Sequence, residues 1–132
     1  MRPSDSIADL LTRIRNACKM QHRYVDTPSS KVRLNILKLL KEEGFIANFL
    51  LRPSGYQGEV RIFIKYDKKR EPVIQDLKRI SKPSCRRYVG HKEIPRVLGG
   101  MGLAVVSTSR GIISGLEARK KKVGGELLCY VW

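Results

Sequence analysis

The sequence predicts an α+β chain made of two small α/β units. Three observations predict it. Two stretches in the first third carry apolar residues at helical spacing, and Glu59 to Tyr66 then alternates like a strand. A charged run at 67–72 ends in proline and holds no apolar residue. Beyond it the pattern changes to short apolar runs punctuated by Gly and Ser, with room for one short helix. At 132 residues the chain suits one ordinary domain or two small ones sharing an interface, and 42% hydrophobic content supports a packed core. The boundaries read as 1–66, a linker at 67–72, and 73–132.

Residues 4–18 read as an amphipathic helix. Ser4 or Ser6 caps it, and Asp5 and Asp9 suit its positive end. Ile7, Leu10, Leu11, Ile14 and Cys18 form one apolar stripe, with Thr12, Arg13, Arg15, Asn16 and Lys19 largely outside it. That outer face is either simply solvated or placed to meet phosphate. His22 to Thr27 reads as an extended connection. Pro28-Ser29-Ser30-Lys31 looks like a helix entry with a hydroxyl cap; its residues favour a simple cap over an anion site, although the free N–H groups of such an end suit an anion. The helix is expected to run to Glu43 with Val32, Ile36, Leu37 and Leu40 inward, and to stop at Gly44.

Phe45 to Leu51 is a strand, turned at Pro53, Gly55 and Gly58 into the strand Glu59 to Tyr66. In that strand Val60, Ile62, Ile64 and Tyr66 share one face. Val73 to Ile80 fits either a helical stripe or a strand face, and periodicity does not decide. Cys85-Arg86-Arg87-Tyr88-Val89 reads as a short strand carrying two guanidiniums and an aromatic ring. His91 to Leu98 reads as a helical turn around Pro95. The buried strand Leu103 to Val106 runs straight into Ser107-Thr108-Ser109-Arg110-Gly111. Ile112 and Ile113 return as a strand, and Ser114 with Glu117 has capping-box spacing for a helix from Gly115 to Val123. Gly124-Gly125 ends that helix, and Glu126 to Trp132 is a last strand.

Charge narrows the function. There are 27 Lys plus Arg against 12 Asp plus Glu, net +15. Residues 67–132 hold 15 of these cations against 6 anions, and residues 1–66 hold 12 against 6. A chain this basic repels itself unless an anion compensates, with nucleic acid the first candidate and an anionic membrane surface the second. The longest apolar run is too short for a membrane span, and with Asp5 and Asp9 among the first residues the N-terminus does not read as a signal peptide. Cys18, Cys85 and Cys129 form no C-x-x-C and are odd in number, so they read as reduced, intracellular thiols. With His22 and His91 they have no metal-ligand spacing.

No catalytic site assembles. Gly99-Gly100-Met101-Gly102 lacks the Lys-Ser/Thr of a P-loop and precedes a strand, where a dinucleotide fingerprint follows one. Ser107 and Ser109 lack a G-x-S-x-G frame. The reading requires no cofactor, no metal and no small-molecule substrate. RNA recognition fits the residue types. The minor groove of duplex RNA is wide, shallow and lined with 2′-hydroxyls that short Ser and Thr side chains reach. Long cations then reach phosphates, and Tyr88 offers a flat ring beside Arg86 and Arg87. General DNA coating would use the charge alike but has no 2′-hydroxyl to read.

Several stretches carry a family resemblance. They are residues 6–16, Pro28 to Lys31, Lys41 to Ile46, Arg79 to Pro83, Lys92 to Val97, Gly102 to Gly111, and Gly124-Gly125-Glu126 through the C-terminus. In this order they closely resemble the bacterial small-subunit ribosomal protein eight family, primary binders of ribosomal RNA. The resemblance implies two small α/β domains packed together and makes Val73 to Ile80 a strand. It implies that Ser107, Thr108 and Ser109, with Arg110 and Gly111 completing the loop, lie in the minor groove of an irregular helix in the central domain of the small-subunit rRNA. Tyr88 and the Gly124-Gly125-Glu126 turn would lie near that contact; Arg86 and Arg87 join them on residue type, as cations beside the tyrosine. Ser29, Ser30 and Lys31, with Arg13 and Asn16 on the first helix, look like a second one. Glu126 would be repelled by RNA unless it accepts base or ribose donors or orders the serine loop. The implied partners are that rRNA, neighbouring small-subunit ribosomal proteins and the protein's own operon mRNA, whose translation many members repress. The implied location is the ribosome, in the cytoplasm. Three positions depart from the family pattern: Arg110 where Lys is usual, Cys85 where Gly is common, and Ser114-Gly115 where a Thr-Asp cap is common.

Overall fold

A computed structural model describes residues 5–53 and 58–132. The expected cap at Ser4 and turn residue Gly55 lie outside the described residues. The chain divides into two compact units, one of Ser6–Gln75 and one of Asp76–Trp132 together with Met1–Asp5.

In the first unit, helix α1 spans Ser6–Lys19 and buries Ile7, Leu10, Leu11, Ile14, Ala17 and Cys18. That is the predicted stripe with Ala17 added. Strand β1 covers Tyr24–Pro28, helix α2 Lys31–Glu42, β2 Ile46–Arg52 and β3 Glu59–Ile64. The three strands form an antiparallel sheet in the order β1-β3-β2. Val60, Ile62 and Ile64 of β3 are buried. Ser30 caps α2: its hydroxyl accepts the Arg33 N–H at 3.2 Å. The far end closes at Gly44, where φ is +81°. There Phe45 N–H donates to Leu40 O and Gly44 N–H to Lys41 O, satisfying the last carbonyls of α2.

The inward face of α2 differs from expectation at one turn. Val32 is exposed and Arg33 is buried. Apolar periodicity assigns the inside to Val32, but the Arg33 guanidinium finds Asp9 on α1 and Thr27 on β1, and those partners offset its desolvation. Residues 67–72 form a closed turn within the first unit. The Asp67 carboxylate accepts the Lys69 and Glu71 N–H groups, and Tyr66 bridges Pro72.

In the second unit, β4 is Leu77–Arg79, β5 Tyr88–Val89, β6 Leu103–Thr108, β7 Gly111–Ser114, α3 Gly115–Lys120 and β8 Gly125–Val131. The sheet runs β4-β8-β6-β7, and β5 also pairs with β8. Of Val73 to Ile80, only Leu77–Arg79 is strand; Val73 N–H instead bonds Lys65 O in the first unit. The Cys85 stretch is also shorter than expected: it is strand only at Tyr88–Val89, and Cys85 itself makes an isolated bridge with Lys82. The helical turn expected at 91–98 around Pro95 does not form; residues 91–96 are turn and irregular, and a 3₁₀ turn follows at Val97–Gly100 with Leu98 and Gly99 at positive φ. Helix α3 stops at Lys120, three residues before the expected end. Its cap is as predicted, the Ser114 hydroxyl accepting the Glu117 N–H at 3.1 Å. The core under α3 holds Ile94, Ala104, Val106, Ala118 and Leu127. Gly115 is a packing requirement there, since a Cβ would meet Ile94 Cγ2 at 2.8 Å.

Candidate nucleic-acid interface

Three strands bring the second-unit residues into one row. Ser107 of β6 and Tyr88 of β5 are both register partners of Glu126, from opposite sides of β8. Residues directly opposite in antiparallel strands share a face. The next pair, Val106 and Leu127, belongs to the core under α3. The Ser107–Glu126–Tyr88 row therefore lies on the other face of the sheet.

The glycines make the row close-packed. A Cβ on Gly125 would stand 2.1 Å from Ser107 O, and one on Gly124 2.4 Å from Val89 O. Any side chain there would push β8 away from β6 or from the end of β5.

Glu126 occupies the middle and faces inward to protein donors. Its Oε2 accepts the Ser81 hydroxyl at 2.5 Å and Arg86 Nη1 at 2.9 Å. Ser81 is fully buried, and its oxygen also accepts the Arg87 N–H at 3.1 Å. Partial burial pushes the Glu126 carboxyl up. The Ser81 and Arg86 hydrogen bonds and the charges of Arg86 and Arg79 outweigh that and hold it below the usual carboxylate range. Glu126 thus fixes the segment carrying Arg86, Arg87 and Tyr88. Ser81 was not legible as a site residue: nothing between Ile80 and Lys82 marks it locally, and only its burial against Glu126 shows its part.

The β6–β7 turn is organised by Thr108. Its hydroxyl accepts the Arg110 N–H at 3.0 Å and donates to Gly111 O at 2.9 Å. Gly111 has φ +103°, which favours glycine. Among the described residues, the Ser107 and Ser109 hydroxyls have no hydrogen-bond partner. Two of the three predicted hydroxyls are therefore available for a ligand, and the third holds the turn. Arg87, Tyr88, Ser109, Arg110 and Gly111 are exposed. Tyr88 is 70% accessible, which leaves its ring open for stacking.

The first-unit residues are less uniform. Lys31 and Asn16 are exposed, Ser30 is half-buried and Ser29 is buried. The Ser30 oxygen is used by the cap. Arg13 is turned toward protein, with Nε on Asp9 at 2.9 Å and Nη1 on Asp26 O at 3.1 Å. Burial raises the Asp9 carboxyl, but its hydrogen bonds from Arg33 and Arg13 more than offset this and lower it.

No group of three His, Cys, Asp or Glu suited to a metal occurs among the described residues. No helix among them is long and apolar enough to cross a membrane. Burial pushes the Cys129 thiol up to about 12, and Cys85 is exposed.

A family model described as Ribosomal protein S8 matches residues 5–132. The chain belongs to the ribosomal protein S8 family. It is 55% identical over 130 residues to small ribosomal subunit protein uS8 of Protochlamydia amoebophila (strain UWE25), covering 98% of both chains. It is 54% identical over 129 residues to the uS8 of Anaeromyxobacter sp. (strain K), again with 98% of each covered. As an S8-family member the chain is a ribosomal protein and not an enzyme. The α+β architecture and the full-length resemblance read from the sequence agree with this.

Proposed function

We propose that the protein is a structural constituent of the small ribosomal subunit that binds the central domain of its rRNA through the β5–β8–β6 row. The observation that carries this reading is the shared register of Ser107, Glu126 and Tyr88. Two unpartnered hydroxyls, an open aromatic ring and Arg87 and Arg110 line one end of a sheet whose backbone the glycines hold tight. Short hydroxyls at fixed spacing suit ribose 2′-OH groups in a shallow groove, and the guanidiniums suit flanking phosphates. A net charge of +15 supplies affinity that falls with salt. Lys31 and Asn16 of the first unit form a second, smaller contact. An operon mRNA folded to the same shape would use the same row.

The test is binding to a panel of rRNA fragments with competitor tRNA at moderate salt. One fragment should bind tightly. Ser107→Ala with Ser109→Ala should cost about 1–3 kcal/mol there, the range for groups left unsatisfied. Equal binding to every fragment overturns the site-specific reading. A translational reporter carrying the protein's own leader tests the mRNA: no response to excess protein rules it out.

A further inference from the structure

One edge of the first sheet is not explained by RNA binding. Among the described residues strand β2 pairs only with β3, so its outer side is a sheet edge that can pair with another strand. The register shift between Ile46 and Asn48 leaves a regular edge from Asn48 to Arg52. That is about five residues, roughly 17 Å at 3.4 Å per residue. Edges are commonly blunted by proline, inward charge or a covering element. This one instead presents Leu50 and Leu51, 51% and 58% exposed. Beside it lies an open groove of about 410 Å³ between α2 and β2, lined by Lys38, Lys41, Glu42 and Phe49.

We propose that the β2 edge and this groove bind an extended, acidic peptide segment of another polypeptide, added as a fourth strand. Backbone pairing along Asn48–Arg52 supplies the register. Alternate side chains of the peptide fall on two faces: one set lies on the groove side with Phe49, Lys38 and Lys41, where carboxylates are favoured, and the other lies on the Leu50 side, where apolar residues are favoured. Charge selects the occupant. Lys38 and Lys41 line the groove against the single carboxylate Glu42, and Arg52 stands exposed at the end of the strand. A second copy of this chain pairing through β2 would bring two such lysine pairs together in molecules of net +15, which disfavours it. An RNA strand has no backbone N–H and C=O ladder to match a β edge.

The test uses the full-length protein, ¹⁵N-labelled, titrated with a blocked ten-residue peptide of alternating Val and Glu. Its counterparts alternate Val with Lys, or carry N-methyl groups on every second amide of the Val–Glu peptide, one version for each phase. Saturable binding is expected, with cross-strand NOEs from the peptide to Asn48–Arg52. The Val–Lys peptide and one N-methylated version should bind at least tenfold more weakly. Lys38→Glu with Lys41→Glu should weaken the Val–Glu peptide at least tenfold and leave the preference for one rRNA fragment over the others unchanged, so failure here does not touch the RNA reading. Four outcomes overturn the proposal: no saturable binding up to millimolar peptide, equal binding of the Val–Lys peptide, NOEs at any other element, or β2–β2 NOEs from a dimer.

Discussion

Glu126 and Ser81, 45 residues apart in sequence, meet through a 2.5 Å hydrogen bond in which the buried hydroxyl donates to the carboxylate. A carboxylate at the centre of a basic surface is thereby committed to the protein. It holds the segment that carries Arg86 and Tyr88 instead of confronting a ligand with a free negative charge. Cost and benefit divide by neighbour: Ser81 and Arg86 offset the desolvation of Glu126, and Glu126 satisfies a hydroxyl that has no water to turn to.

This pairing makes stability depend on pH. The Glu126 carboxyl titrates below its ordinary 4.5 in the folded chain. The folded state therefore binds fewer protons, and the contribution is present above the unfolded value and lost as pH falls through the folded one. Glu126→Gln should be less stable than wild type by about 1–3 kcal/mol at pH 7. Asp9 and Asp26 are also held low, so both proteins lose stability in acid. Urea unfolding from pH 7 to pH 3 isolates Glu126 as the difference between them, which should shrink below its ordinary value. A difference that stays constant would show that the carboxylate charge is not what matters.

Gly125→Ala should act through the backbone. Its new methyl lies against Ser107 O, which cannot rotate away as a side chain tip would. A loss of about 2–3 kcal/mol is expected, at the upper end for overpacking. Ser107 should also shift relative to Tyr88, so rRNA-fragment affinity should fall at a temperature where the variant remains fully folded. Calorimetry and binding at that temperature check the two parts separately; an unchanged Tm contradicts both.

Thr108→Val keeps the shape of the side chain and removes its oxygen. The Arg110 N–H loses its acceptor and the Gly111 carbonyl its donor. The turn should be weakened by about 0.5–1.5 kcal/mol, because solvent takes over part of both bonds. Amide exchange at Arg110 should quicken, and Thr108→Ser should restore it. Unchanged exchange in the valine variant would mean that the strands alone define the turn.

Arg33→Met tests the buried pair of the first unit. Removing one partner of a fully buried ion pair costs about 3–5 kcal/mol. Asp9 is 29% exposed and keeps Arg13, so the loss here should fall below that range, at about 1–3 kcal/mol. Arg33→Lys should not restore stability, since one ammonium cannot reach both Asp9 and Thr27 as the fork does. Chemical denaturation of the three proteins reads this directly. A lysine variant as stable as wild type would reduce the role of Arg33 to its charge.

Local signals in the chain were legible where one element suffices to explain them. The α1 stripe, the hydroxyl cap within Pro28–Lys31, the Gly44 stop and the Ser114–Glu117 cap all depend on residues within a turn or two of each other, and all are found, with Ser30 as the capping residue and Ala17 added to the stripe. The strand core of β6 and the hydroxyl-rich turn after it were legible for the same reason. Readings failed where a distant partner overrides local pattern. Val32 and Arg33 exchange places because Asp9 and Thr27 are there to receive a guanidinium. Val73 to Ile80 is only briefly a strand because its two ends pair with different elements, Lys65 for Val73 and β8 for Leu77–Arg79.

Of the Gly102–Gly111 stretch, the sequence by itself determined the kind of surface: a buried strand, a run of small hydroxyls, a cation and a glycine, in a chain too basic to be indifferent to anions. Only the tertiary structure decided which hydroxyls are available. Thr108 is spent on its own turn, and Ser107 and Ser109 are left open. It also decided that Glu126 supports the site from within. Both outcomes depend on strand register, and register brings together Tyr88, Ser107 and Glu126 from positions that no local periodicity relates.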